Sequence, residues 1–397
     1  MVELGGEDGP GTRASLSEIA RLFLKLGTIG FGGPAAHIAL IEDEVVRRRR
    51  WLSREAFLDY VGATNLMPGP NSTELAIEIG RDRGGWPGLL VAGVSFILPA
   101  GTIVTLVAWA YMRFGQLPAS LAVLAGVKPV VIAIVAQALV RLGRTALRTV
   151  PLALLAAAAV VATLLGVNEL IVLLSAALVA MLAGTIADRS RSVPIASSSV
   201  LVAGGFSRQS VVTLGAIMTA PAVSLGGLFA AFLKIGSVLF GSGYVLLAFL
   251  RADFVERLGW LTERQLLDAV AVGQVTPGPL FTTATFIGYV LAGVPGAIVA
   301  TIGIFLPAFV FVAVSGPLIP RLRRSRVAGA ALDGVNAASM ALMALVTWQL
   351  GRAAIVDMPS VLIAVASVAL LATRRVNSAW LVLAGGLVGV AVEALRP

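Results

Sequence analysis

"GATNLMPGPNSTELAIEIG", residues 62–80, interrupts itself at Pro68-Gly69-Pro70, and "AVGQVTPGPLFTTATFIG", residues 271–288, does the same at Pro277-Gly278-Pro279. Proline costs roughly 3 kcal/mol in a helix interior, and glycine about 1. Two such breaks in the same form are a design feature of the chain. Around them the rest of the sequence aligns with itself at an offset of 209 residues. "FLKLGTIGFGG" at Phe23–Gly33 lies over "FLKIGSVLFGS" at Phe232–Ser242, Trp51-Leu52 over Trp260-Leu261, and Asp59 over Asp268. After a slip of one residue Pro99 falls on Pro307, and "GVKPVVIAIVAQALVRLGR" on "GVNAASMALMALVTWQLGR". Two homologous repeats are therefore expected, at residues 1–190 and 211–397, with a linker at 191–210.

Composition places these repeats in lipid. Apolar residues make up 58% of the 397, charged ones 13%, and mean hydropathy is +0.93. Soluble domains run at about 45–50% apolar and 25% charged. Several runs approach the roughly 20 residues that span a hydrocarbon core. The fold class expected is an all-α polytopic membrane protein. The polar, acidic N-terminus lacks the basic and apolar regions of a cleaved signal peptide.

Absent residue types exclude chemistry. The chain has no cysteine and one histidine, His37, so disulfides, thiolate redox work and Cys/His metal clusters are excluded. No GxxxxGK[ST] loop occurs, and clustered His and acidic residues at one depth are missing, so no enzyme, metal or cofactor is expected. A formal charge of +9 would suggest nucleic acid in a soluble protein. Here the arginines lie between apolar segments, where membrane topology accounts for them.

Arginine placement also speaks to orientation. Each half offers an apolar segment carrying Phe-Leu-Lys, a PGP segment and four further apolar segments. If each PGP segment is a re-entrant hairpin, each half crosses five times and the second half is inverted. One side then collects 19 of the 27 arginines against 7 on the other. Spanning PGP segments would split them 15 to 11. Inverted repeats of about five transmembrane helices, each with a re-entrant PGP hairpin, are the expectation, with the N-terminus outside.

Hairpin arms of about 12 residues reach roughly 18 Å, halfway through a bilayer. Irregular backbone survives at that depth only where it is buried in protein or lines a watery cavity. A half-helix starting after PGP aims free N–H groups and about half a positive charge at that point, a ready anion site. Asn71, Ser72 and Glu74 follow the first tip, where Asn71 and Glu74 also have capping-box spacing. Leu280 and Phe281 follow the second. Lysine occurs only at Lys25, Lys128 and Lys234, all within apolar segments. Lys25 and Lys234 are repeat partners. They are expected either to compensate a dianion or to snorkel or pair with a carboxylate. Lys128 has Asn336 as its counterpart and is expected to tolerate loss better. Glu42, Glu74, Glu78, Asp59 and Asp268 are candidate proton carriers, a salt bridge being the favoured role for the two aspartates. His37, alone and without a repeat partner, is expected to be a packing residue.

"FGGPAAHIALIEDEVV" (31–46), "WLSREAFLDYVGATNLMPGPNSTELAIEIG" (51–80) and "WLTERQLLDAVAVGQVTPGP" (260–279) resemble the chromate ion transporter family in its long, two-half form. The resemblance covers nearly the whole chain. It implies a multi-pass protein of the bacterial inner membrane that exports chromate and confers resistance to it, driven by the proton-motive force or by sulfate exchange. Sulfate, with the same shape and charge, is the expected competitor. The alternative is a sulfate or other inorganic-anion transporter or channel of the same architecture. By motif match the substrate positions are Lys25, Phe31, Gly32, Gly33, Pro34, Asn65, Pro68, Gly69, Pro70 and Glu74. Asn71, Ser72, Lys234, Phe240, Gly241, Pro277, Gly278 and Pro279 join them by the tip argument and by repeat. The second half departs from the motif, reading Ser242-Gly243 where the first has Gly33-Pro34. Lipid is the expected surrounding, and pairing with a second copy is left open.

Overall fold

A computed structural model of the chain describes residues 13–31, 33–191, 222–240, 243, 245–315, 325–373, 376 and 378–395. Every regular element among them is helical. The first half runs α1 (Leu16–Ile29), α2 (Pro34–Glu42), a π-helix (Asp43–Arg48), α3 (Arg54–Thr64), α4 (Asn71–Phe114), α5 (Pro118–Ala146), α6 (Val150–Leu164) and α7 (Glu169–Arg191). The second runs α8 (Leu225–Val238), α9 (Leu246–Leu250), a π-helix (Arg251–Arg257), α10 (Glu263–Val275), a short 3₁₀ turn (Leu280–Thr282), α11 (Thr283–Ser315), α12 (Arg326–Ala354), α13 (Met358–Ala372) and α14 (Ser378–Ala394). Apart from Arg191, the joint expected at 191–210 lies outside the described residues.

The two halves repeat each other down to single hydrogen bonds. In the π-helices, Arg49 N–H donates to the Glu44 carbonyl and Leu258 N–H to the Asp253 carbonyl, both at 2.9 Å and both five residues back. Next, Leu52 N–H reaches the Val45 carbonyl and Leu261 N–H that of Phe254. The hydroxyls of Ser53 and Thr262 then cap α3 and α10. Beyond each PGP the chain forms a short arm and doubles back. Gly85 and Gly293 share φ 63° and ψ −152°, left-handed values that glycine alone takes without strain. Nothing else crowds these two positions, so backbone conformation by itself selects glycine there. The returning arm presses so closely that a methyl group on Gly80 would stand 2.4 Å from the Gly88 carbonyl oxygen; on Gly288 it would stand 2.3 Å from that of Gly296.

Packing interlocks the halves. α1 lies against α4 and α8 against α11, while α4 and α11 meet each other. The last two helices of each half cross over: α6 and α7 pack on α12, and α13 and α14 pack on α5. Small residues permit these crossings, since a methyl on Gly126 would meet the Gly385 carbonyl, and one on Gly334 the Ala176 carbonyl. The largest apolar cluster draws on both halves, while the stretch from α1 to α4 closes a second one of its own and a small third cluster joins α4 to α11.

Four helical stretches among the described residues are long and apolar enough to cross a bilayer: Asn71–Phe114, Pro118–Ala146, Leu280–Val314 and Val327–Ala354. Five further apolar helices are shorter. Residues such as Leu106, Val150, Leu154, Leu362 and Leu387 are more than 60% exposed, as a lipid-facing surface requires. The expectation of about five crossings per half is thus met in part by length alone. The shorter helices, at 1.5 Å per residue, fall below the roughly 30 Å of a hydrocarbon core.

Candidate functional site

The PGP tips are where the halves exchange bonds. Gly69 N–H donates to the carbonyl of Leu239, the C-terminal cap of α8, at 2.8 Å. Gly278 N–H donates to the carbonyl of Gly30, the C-terminal cap of α1, at 2.7 Å. Each tip therefore docks on the end of the other half's first helix, at positions matched by the repeat. Proline at both flanks leaves the central glycine as the tip's only N–H, which is spent on this contact.

After the first tip, Pro70 opens α4 and its carbonyl accepts from Thr73 N–H (2.7 Å) and Glu74 N–H (3.0 Å). The N–H groups of Asn71 and Ser72 precede these first intrahelical bonds. The capping box suggested by the Asn71–Glu74 spacing does not form, because Pro70 takes the cap position and Asn71 enters the helix. The Asn71 amide instead donates to Asn65 Oδ1 at 2.5 Å, tying the helix start to the end of α3. Glu74 is wholly buried, and neither carboxyl oxygen has a hydrogen-bond partner among the described residues. That carboxyl lies against the tip: a methyl group on Gly69 would stand 2.4 Å from Glu74 Oε1. The second tip has no buried carboxyl at the matched place: Leu280 and Phe281 follow it, and Thr283, the counterpart of Glu74, bonds its hydroxyl to the Leu280 carbonyl at 2.8 Å. Just ahead of that tip, the buried Gln274 amide nitrogen lacks a partner among the described residues.

His37 is 2% exposed and packs edge-on against Phe96. Both ring nitrogens are engaged: Nε2 lies 2.9 Å from the Gly30 carbonyl oxygen and Nδ1 3.3 Å from Ser72 Oγ. It joins the α1 cap that holds one tip to the helix that starts at the other. The single histidine gave the sequence reading no repeat partner to compare, so this polar role was missed. Gly33, with φ 80°, caps α2 ahead of Pro34, and Phe31 is exposed. Phe240 is half-buried at the matching place. Gly32 and Gly241, both expected at the site, lie outside the described residues.

The lysines have carboxylate partners. Lys25 Nζ meets Glu44 Oε1 at 2.6 Å, and Lys234 Nζ meets Asp253 at 2.5 Å. The same carboxylates face Arg48 (3.6 Å) and Arg257 (3.0 Å). All three members correspond across the repeat, so each π-helix carries a Lys–carboxylate–Arg triad of net charge +1. Next to it Glu42 faces Arg54 at 3.9 Å, while at the matched positions Arg251 faces Glu263 at 2.6 Å: the same clasp with the signs exchanged. Of the other acidic candidates, Glu78 lies 3.7 Å from Arg81, and Asp59 is exposed. Asp268 is buried, with Lys128 at 2.9 Å and the Tyr111 hydroxyl donating to it at 2.9 Å. This cluster, formed by α4 and α5 of one half and α10 of the other, was not legible in the repeat alignment.

Comparison with known proteins agrees with the motifs. The family model described as Chromate transporter matches twice, over residues 17–183 and 226–390, once in each half. The chain is 32% identical to the chromate transport protein of Cupriavidus metallidurans over 96% of this chain and 94% of that one. It is 33% identical to the probable chromate transport protein of Synechococcus elongatus, covering 88% of both chains. A chromate transport protein of Pseudomonas aeruginosa is 31% identical over 94% of this chain and 92% of its own length. No solved structure matches. On two family matches that together take in most of both repeats, the chain belongs to the chromate transporter family, a family of membrane transporters rather than enzymes.

Proposed function

We propose that this protein carries chromate out of the cell across the bacterial inner membrane, and that the substrate binds where the two PGP tips dock on the opposite α1 and α8 ends. The observation that carries this reading is the reciprocal exchange, Gly69 N–H to Leu239 and Gly278 N–H to Gly30, at a place where both halves present broken helices. Interrupted helices meeting between repeats are the usual site of secondary transporters. Asn65, Asn71, Ser72 and the first amides of α4 supply donors for a tetrahedral oxyanion. Names carried by the full-length relatives support chromate as the substrate. Sulfate, of like shape and charge, serves as competitor or exchange ion.

The repeats are inverted and the PGP segments re-entrant in this reading, which the arginine distribution and the matched Gly85 and Gly293 corners favour. Glu74, buried without a partner beside Gly69, is the proposed proton carrier that couples export to the proton-motive force. Lys25 and Lys234 contribute the net positive charge of their triads, and contact the anion by leaving their carboxylates. Flux of radiolabelled chromate into everted vesicles, with and without a pH gradient, tests the proposal. Uptake that depends on the gradient and is blocked by sulfate before nitrate or organic acids is expected. Uptake of nitrate in preference to chromate would overturn it in favour of a carrier for another inorganic anion.

A further inference from the structure

Resting on the reading of the tips as the anion site, we infer that His37 is a positioning residue that links a proton to the oxyanion by reversing its hydrogen bond with Ser72. The Gly30 carbonyl can only accept, so Nε2, 2.9 Å away, carries a hydrogen and donates to it. Gly278 N–H donates to that same carbonyl at 2.7 Å, so both of its lone pairs are filled. In the neutral ring Nδ1 is then the acceptor, and Ser72 must donate its hydroxyl hydrogen there, across 3.3 Å. Thus Ser72 turns only lone pairs toward the first turn of α4, which disfavours an anion. When a proton adds to Nδ1, that N–H donates to Ser72 Oγ and the serine hydrogen swings free to donate to an oxyanion. One proton is gained at His37, Ser72 keeps its own, and the site gains one positive charge. Proton and anion therefore favour each other's binding as the site loads, and this proton is distinct from the one that Glu74 exchanges in the proposed export.

The surroundings leave the imidazole as the group that makes this exchange. α2, which carries it, packs chiefly on the first π-helix, α4 and α1. From α1 and the π-helix come Lys25 and Glu44, which pair with each other, and Asp43 with Arg48. α4 brings Glu74, partnerless against Gly69, and Glu78 beside Arg81. None of these is hydrogen-bonded to the ring. At the matched positions the second half has Leu246 for His37 and Phe281 for Ser72, so only the first tip carries the device.

Because His37 is the chain's single histidine, its imidazole resonances in detergent micelles need no assignment. Near the midpoint of its titration, saturating chromate at fixed pH is expected to raise the protonated fraction, with proton affinity increasing about tenfold, a usual size for linked sites. Ser72→Ala should still fold and should abolish most of that response. His37→Gln retains one donor and one acceptor but cannot titrate. Burial lowers the proton affinity of His37 below that of a free imidazole, so the ratio of wild-type to His37→Gln uptake should rise about tenfold from neutral to acidic medium, and chromate's own titration cancels in that ratio. If chromate binds in the same sample but leaves the His37 signals unmoved, or if the uptake ratio is flat with pH, the inference is overturned while the transport reading stands. Absence of chromate binding to the wild type would overturn the transport reading, and this inference with it.

Discussion

Lys128→Ala should destabilise this protein more than any other single lysine loss. Lys128 Nζ lies 2.9 Å from Asp268 Oδ1, with side-chain exposures of 12% and 1%. At an effective dielectric of about 20 that separation gives roughly 6 kcal/mol of attraction. Desolvation of the two ions takes back much of it, and removing one partner of such a pair typically costs about 3–5 kcal/mol, because the other charge is stranded. Among the described residues Tyr111 would then be the neighbour left bonded to Asp268, and its hydroxyl bond is worth about 1.5–3 kcal/mol. Lys25 differs, since its side chain is 48% exposed and Glu44 keeps Arg48 and Arg49, each at 3.6 Å. The assay is the monodisperse fraction of purified protein in detergent after a temperature ramp. Lys128→Ala should melt well below wild type, Lys25→Ala close to it. Lys128→Ala with Asp268→Asn should recover most of the loss, as removing both charges of a buried pair is nearly neutral. A single variant as stable as wild type, or a double no better than the single, would refute the argument. The lone lysine without a repeat partner thus becomes the least replaceable for stability, a different quantity from the tolerance in chromate uptake expected from sequence pairing.

Gly69→Leu should abolish chromate uptake at normal expression, because φ +139° strains any side chain and the new Cβ would meet Glu74 Oε1 at 2.4 Å; normal uptake would remove the first tip from the site. Swapping charges in Arg251→Glu with Glu256→Arg and Glu263→Arg should leave thermal stability within about 1 kcal/mol, since the first half already carries Glu42, Arg47 and Arg54 at those places. Arg251→Glu alone, facing Glu256 and Glu263, should fall well below the triple variant; equal stability would show the clasp to be idle. Glu44→Gln and Asp253→Asn should each strengthen chromate binding several-fold if Lys25 and Lys234 must leave their carboxylates to reach the anion, and unchanged affinity in both would keep the lysines off the substrate. Cysteines at Trp86 and Val294, exposed positions just past the matched corners in a cysteine-free chain, should react with impermeant maleimide from opposite faces of the membrane. Labelling of both from one face would reject inversion.

Much of the scaffold was legible because a repeat writes everything twice. The 209-residue offset already paired Lys25 with Lys234 and the two PGP tips, and it also placed Glu44 on Asp253 and Arg48 on Arg257. Those carboxylates were overlooked for a physical reason. They sit in π-helices, whose i−5 bonding departs from the 3.6-residue period by which helix faces are read. The sharp corners had a visible mark as well, Gly85-Trp86-Pro87-Gly88 and Gly293-Val294-Pro295-Gly296, in which proline starts the returning arm just after a left-handed glycine. Illegible were the contacts between non-equivalent positions, such as Lys128 with Asp268 or His37 with Ser72. Such pairs have no internal copy, and long-range neighbours leave no periodicity behind them.

Those unpaired contacts are where the two-fold plan is broken, and the breakage follows one pattern. Around the tips the second half offers mainly backbone and apolar surface: the Gly278 N–H, the Leu239 carbonyl, Leu280, Phe281 and Leu246. The titratable side chains there, Glu74 and His37, come from the first half together with Ser72, Asn71 and Asn65, while the second half adds only the neutral donors Gln274, Thr276, Thr282 and Thr283 among the described residues. A symmetric scaffold is suited to presenting one site to either side of a membrane, because the closing contacts of one state can be rebuilt by the matched elements in the other. A single small dianion, however, cannot fill two equivalent charged sites, and a second buried carboxyl like Glu74 would carry its own desolvation cost with no ligand to offset it. Repeat symmetry therefore serves the scaffold, the π-helix triads, the glycine corners and the crossed tips, while in the proposed site the titratable groups belong to one half. On this argument Thr283→Glu, which would install a second Glu74, should destabilise the fold without adding proton coupling, and thermal stability together with gradient-driven chromate uptake would measure both halves of that statement. A stable Thr283→Glu variant with steeper dependence on the pH gradient would show instead that the second tip is a working site.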